Sequence, residues 1–100
     1  MIIAIVKAKI KSGMHEKMRK VADILQYDFS ASEPGCEQYE SYIDGGTFVT
    51  LERWSSQADL DRHLATEHVE KYVPELRDCV EDGGFSVQFI ETDEVRQVTI

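Results

Sequence analysis

The stretch Phe48-Val-Thr50-Leu-Glu52-Arg-Trp54, followed by His63 and His68, brings a carboxylate, an indole and two imidazoles close together in sequence. Imidazole titrates near neutrality, so a positioned histidine can take or return a proton at physiological pH. The histidines suit proton transfer.

Side chains alternate along a strand, so Phe48, Thr50, Glu52 and Trp54 share one face, and Val49, Leu51 and Arg53 share the other. The first face mixes aromatic and polar groups, as the wall of a pocket between a sheet and its helices does. Packing of Trp54 as plain core is equally compatible with the pattern. The second face suits burial against another sheet.

Five residues separate His63 from His68, which on one continuous helix turns them about 140° apart. Such a pair does not chelate as an i, i+4 pair does, and no metal is expected. Each histidine has a structural alternative, as helix padding for His63 and as a turn partner for His68. His15, in the first turn of a helix, is expected at the surface. Gly-x-Ser-x-Gly is absent, and Gly45-Gly46 and Gly83-Gly84 lack the pattern that cradles phosphate, so neither a covalent nucleophile nor a nucleotide cofactor is indicated.

Positioning these residues takes alternating strands and helices. Ile2 to Ile10 reads as a strand. Ser12 is a candidate cap for a helix with Met14, Met18, Val21, Leu25 and Phe29 on its buried stripe. Glu33-Pro34-Gly35 closes that region. Cys36–Ile43 and Thr47–Trp54 follow as strands joined by a hairpin turn at Asp44-Gly45-Gly46. A second helical stretch starts at Ser55 or Ser56 with Ala58, Leu60 and Leu64 as its apolar positions, and from Val69 a helical stripe continues through Tyr72, Val73, Leu76 and Val80. A break is expected at Pro74, which lacks an amide. Phe85 to Ile90 reads as a fourth strand, and Val95 to Ile100 as a fifth. Strand, helix, strand, strand, helix, strand is the split βαβ, ferredoxin-like α+β arrangement with an antiparallel sheet. The extra C-terminal strand suggests a symmetric dimer, sheet face to sheet face with crossing tails, unless it folds back on its own sheet.

The totals agree with one such domain over residues 1–100. A chain of 100 residues buries only about 60–70% of the surface its unfolded form exposes, so a partner subunit would help it. A net charge of −8 and the lack of a basic patch argue against nucleic acid and anionic membranes. No run approaches the ~20 apolar residues of a membrane span, and Met1 to Val6 is no signal peptide. Two isolated cysteines form neither a disulfide framework nor a zinc motif, and a cytoplasmic setting is expected.

The chain also carries Glu33-Pro34-Gly35-Cys36 leading into Tyr39, then Glu52-Arg53-Trp54, then Leu60, His63 and Leu64, and His68 followed by Tyr72. In these residues, and over nearly its whole length, it resembles the antibiotic biosynthesis monooxygenase family, the dimeric α+β barrels that include quinol monooxygenases. The resemblance implies a ferredoxin-like subunit, a homodimer and one pocket per subunit. It also implies oxidation of a small aromatic quinol or polyphenol by O₂, with no metal or flavin. Carried onto this chain, His63 or His68 would take the phenolic proton and Trp54 would stack on or orient the ring. Glu52 would polarise an imidazole and Tyr72 would bond a substrate oxygen, with Thr50 and Phe48 beside them on the pocket face. Polyketide-modifying members have Asn where this chain has Thr50, which counts against anthrone-type oxidation. Haem-degrading members place an Asn on the first strand, and Ile2 to Ile10 holds none. Two other functions are compatible with the residues: an isomerase of a small dicarbonyl or sugar-derived metabolite, and a non-catalytic small-molecule-binding dimer.

Overall fold

Ile2–Lys9 forms β1, whose β-branched residues suit a strand paired on both edges. In the computed structural model, which describes all 100 residues, β1 lies at the centre of a four-stranded antiparallel sheet. His15–Asp23 is α1, continued by a wider π-type turn over Ile24–Phe29 and a tight 3₁₀ turn over Ser30–Ser32. The hairpin strands are β2, Cys36–Asp44, and β3, Thr47–Trp54, and their register places Gly45-Gly46 as the two-residue turn. Two helices follow, α2 at Gln57–Leu64 and α3 at Glu67–Arg77, and Ser86–Glu91 returns as β4. The strand order β2-β3-β1-β4 is that of the expected ferredoxin-like α+β fold, with α2 and α3 together in the place of its second helix.

The register stacks the helix-facing side chains in rungs. Ile2 stands opposite Trp54, Ala4 lies between Glu52 and Phe89, and Val6 lies between Thr50 and Val87. Ala8 faces Phe48. The main core gathers at the Phe48 end, where Met18, Val21 and Leu25 pack on Ala8 and Ile10 and are closed by Leu76 and Val80. A smaller cluster of Ile2, Trp54 and Leu60 closes the other end. Small residues on β1 between the two clusters leave room between sheet and helices, and the site described below occupies that space.

Several expectations change. Ser12 caps nothing: α1 begins after Met14 without a side-chain cap. The helical region after β3 breaks at Ala65-Thr66 rather than at Pro74. Thr66 adopts an extended backbone, donates its hydroxyl to the His63 carbonyl at 2.7 Å and accepts from the Val69 amide, which starts a new helix. Pro74 sits inside α3 on its exposed side; its missing amide leaves only the Glu70 carbonyl unpaired, in reach of water. Val95 to Ile100 forms no strand. The sheet ends at Glu91, and after the Thr92 amide bonds the Met1 carbonyl at 3.1 Å the tail runs on exposed. A turn at Thr92-Asp93-Glu94, in which the Thr92 hydroxyl donates to the Glu94 carbonyl and accepts from the Glu94 amide, bends the chain there without returning it to the edge of β4.

Gly35 shows how tightly the entry to β2 is fitted. Its φ of +79° belongs to the left-handed region, and a Cβ there would lie 2.2–2.6 Å from the Asp59 side chain at the start of α2. Gly35→Ala is expected to cost about 2 kcal/mol or more from backbone strain and the close approach, lowering the thermal midpoint by roughly 4–8 °C per kcal/mol. A thermal melt equal to that of the parent would show that α2 can shift away freely.

Candidate functional site

Glu33 is held extended ahead of Pro34, with φ −65° and ψ 146°, and its side chain reaches α2 and α3. One carboxylate oxygen lies 2.7 Å from His63 Nδ1, and the other bonds His68 Nε2. Because α2 ends and α3 starts anew between the two histidines, their rings converge, with centroids 6.3 Å apart. The divergence expected from a continuous helix does not occur. An ionised Glu33 can only accept, so both imidazoles then present N–H to it, and in a neutral His63 the lone pair falls on Nε2.

Nε2 of His63 lies 3.8 Å from Glu52 Oε1. Glu52 in turn accepts from Trp54 Nε1–H at 3.1 Å and from the Thr50 hydroxyl at 3.2 Å. The Trp54 ring lies beside His63, centroids 4.4 Å apart, and Tyr39 approaches the same imidazole edge-on at 5.9 Å. His63 is thus fixed by Glu33 on one nitrogen, by the indole on one face and by Tyr39 at its edge. His68 stacks on Phe29 at 4.8 Å, and Tyr72 packs against the same ring.

Between sheet and helices lies a cavity of about 330 Å³, towards the small end of the range for ligand sites. Phe48, Thr50, Glu52 and His63 all line it, together with Tyr39, Arg77 and an otherwise apolar wall. Trp54, His68 and Tyr72 are not among its lining residues. Trp54 is fully buried against His63 and bonds Glu52, His68 bonds the second oxygen of Glu33, and Tyr72 packs on Phe29 and the main core. His15 is exposed and bonds the Gly45 carbonyl.

Burial shifts three acidic groups at the site, Glu52, Tyr39 and Cys36. It raises the Glu52 carboxyl above the usual glutamate range, against the opposing pull of His63, Trp54 and Thr50. Burial, then the Glu52 charge, pushes the Tyr39 phenol far up, so it stays a neutral O–H. Burial with Glu33 and Glu52 pushes the Cys36 thiol up to about 11, so it is no thiolate at neutral pH. Glu33, His63 and His68 are also three groups of metal-ligand type whose donor atoms lie within 4.8 Å of one another. Here both Glu33 oxygens are taken up by imidazoles, and a cation would have to displace both of those protons.

Glu33, Tyr39 and Arg77 are the site members that residue type and local spacing did not single out. Glu33 lies 30 residues from His63 and 35 from His68, and the only sequence signal for it was its place before Pro34-Gly35.

The sequence matches the family model for antibiotic biosynthesis monooxygenase over residues 1–75. A solved antibiotic biosynthesis monooxygenase shares 27% identity, covering 94% of this chain and 100% of its own, with a TM-score of 0.84. A Mycobacterium tuberculosis protein at 20% identity has a TM-score of 0.86 over 96% of this chain and 98% of its own. A conserved Methanosarcina mazei protein at 21% identity has a TM-score of 0.84 over 92% of each chain. At such identities the last two show likeness of fold alone. No curated protein matches the sequence. No helix is long and apolar enough to cross a membrane.

A carboxyl whose pKa is raised by folding favours the fold when protonated. Its contribution is therefore complete below the ordinary glutamate value of about 4.3 and is lost as pH rises through the raised value. Glu52→Gln keeps an acceptor for Trp54 and a donor for the Thr50 oxygen while removing the charge. The variant should match the parent near pH ~4 and melt higher by a few degrees near pH ~8, at about 4–8 °C per kcal/mol. Equal melting at both pH values would mean that the Glu52 charge is fully compensated.

Proposed function

Because the chain belongs to the antibiotic biosynthesis monooxygenase family, we propose that its cavity oxidises a small aromatic quinol or polyphenol with O₂, with His63 as the base and without metal or flavin. The observation that supports this most is the His63 imidazole in the cavity wall, its Nδ1 held by Glu33 and its Nε2 free on the side of Glu52. The arrangement follows the logic of an oriented base, in which a carboxylate fixes the tautomer and stabilises the imidazolium that forms. Apolar walls favour a flat ring and exclude water from the anion.

In the proposed reaction His63 Nε2 takes the phenolic proton. The phenolate gives electrons to O₂, a C–O bond forms at a ring carbon, and the resulting peroxide takes the proton back from His63 to become a hydroperoxide. His63 then takes the proton on that ring carbon as the O–O bond breaks, leaving a quinone carbonyl. The departing hydroxide takes this second proton from His63 and leaves as water. One oxygen atom enters the product and the other becomes water, with all four electrons drawn from the substrate. Tyr39, kept neutral, is suited to hold a substrate oxygen, the role the family resemblance implied for Tyr72. Trp54 and His68 act from behind, on His63 and Glu33, while Phe48, Thr50 and Glu52 meet the substrate.

The same His63 and Glu52 pair would serve an isomerase, since a raised carboxyl beside a free imidazole provides an acid and a base on one wall. Dependence on oxygen separates the two readings. Metal-stripped protein should consume O₂ with a saturable dependence on a quinol, beyond autoxidation. His63→Gln should lower kcat/KM by about 10²–10⁴ and His68→Gln by less, with both variants still melting cooperatively but some degrees below the parent, because a Glu33 oxygen loses its imidazole. Undiminished turnover in His63→Gln would remove the base assignment, and turnover of a dicarbonyl without oxygen would favour the isomerase.

We also propose that the chain works as a homodimer. The sheet face away from the helices carries Ile3, Ile5, Val49, Leu51 and Ile90, an apolar surface that a second sheet would cover. The exposed Val95, Val98 and Ile100 add apolar surface beyond it. Light scattering should give twice the chain mass of 11.4 kDa, and Leu51→Lys should halve it. A monomeric parent protein would overturn the dimer.

A further inference from the structure

The chain has five arginines, and four of them face a carboxylate: Arg19 with Asp23, Arg53 with Glu37, Arg62 with Asp59 and Arg96 with Glu94. Arg77, at the end of α3, has no carboxylate partner, and it is the single cation that lines the cavity. In a chain of net charge −8, a cation left without an acid at the mouth of an apolar slot is conspicuous. Its guanidinium lies 5.7 Å from the Phe85 ring centre and Nη1 donates to the Gly83 carbonyl at 3.3 Å. Those contacts use one of its five N–H groups, and the planar fork remains available for a bidentate anion.

The sheet register sets the distance from this cation to the base. Glu52, with His63 above it, stands on the Ala4 rung, while Phe48 stands on the Ala8 rung four residues along β3. That is about 13 Å at the rise of a strand. Phe85, under Arg77, directly precedes β4, whose first residue pairs with Lys7, and so belongs to the Ala8 end. The cavity thus has a proton acceptor at one end, a floor of Val6, Val87 and Thr50, whose hydroxyl is committed to Glu52, in the middle, and a free cation at the other.

We infer that the cavity takes an aromatic acid: a phenol whose hydroxyl meets His63 and whose carboxylate, or another anionic group at the far end of the ring system, is held by Arg77. The inference deepens the oxygenase reading and rests on it for the reacting hydroxyl, whereas the anion anchor stands on binding alone. The substrate would span two fused rings or a comparable length, and a compact monocyclic quinol would leave one end of the slot unfilled.

Calorimetric titration with a matched pair tests this: a hydroxynaphthoate with hydroxyl and carboxylate at opposite ends of the fused rings, and its neutral carboxamide. The parent protein should bind the acid roughly tenfold more tightly than the amide. Arg77→Gln should abolish that preference while its thermal midpoint stays within a few degrees of the parent's, and Arg77→Lys should keep part of it. Equal binding of acid and amide by the parent, an undiminished preference in Arg77→Gln, or binding of neither ligand would overturn the anchor. Oxygen uptake with the same acid is read separately: acid-selective binding without oxygen consumption would uphold the anchor and sink the oxygenase reading.

Discussion

The bridging carboxylate of Glu33 is the contact on which the candidate site depends. Removing a carboxylate from water is costly unless its oxygens are bonded, and here each oxygen meets an imidazole. The cost is met only if two rings converge from different elements, and the break between α2 and α3 allows this. One continuous helix would carry His63 and His68 apart and leave Glu33 with one partner. Thr66, which ends one helix and caps the next, therefore fixes the tautomer of a ring it never touches.

Rigidity spreads outward from that bridge. With Nδ1 committed to Glu33, His63 has one free nitrogen, and Trp54 prevents the ring from turning because it lies against its face while bonding Glu52. Glu52 is thus both the acceptor that satisfies the only buried indole N–H and the second polar group of the cavity wall. The two ends of the helix-facing surface are packed by separate clusters, one around Trp54 and one around Phe48. The cavity is the space that the small residues of β1 leave between them.

How much of this was legible in the sequence follows from the range of each interaction. The strands, the hairpin at Gly45-Gly46 and the shared face of Phe48, Thr50, Glu52 and Trp54 are set by alternation and local turn chemistry, and they emerge as read. The family was legible too, because its motifs are short runs of neighbouring residues. The break after Leu64 was not, although the step of five from Leu64 to Val69 interrupts the three-and-four spacing of the apolar positions, because Thr66 is a modest cap signal and Pro74 is the stronger helix breaker nearby. Pro74 misled in the opposite direction: on an exposed face it removes one hydrogen bond that water replaces, which is too little to end α3. Glu33 was beyond reach because its meaning lies in partners 30 and 35 residues away.

That same break changes which residues meet a ligand. A histidine pair on one helix would offer two candidate bases of equal standing, whereas the bent pair ranks them, with His63 on the cavity side of Glu33 and His68 behind it. The aromatic residues divide in the same way. Trp54 and Phe29 lie against imidazoles, and Phe48, Phe85 and Phe89 line the space a substrate would fill. In the proposed reaction, proton chemistry is therefore concentrated on one nitrogen at one end of an apolar slot. Because apolar contact is non-directional, nothing along the floor fixes which way round a flat ring enters. Only a second polar group at the far end can do so, and on this chain that position falls to Arg77.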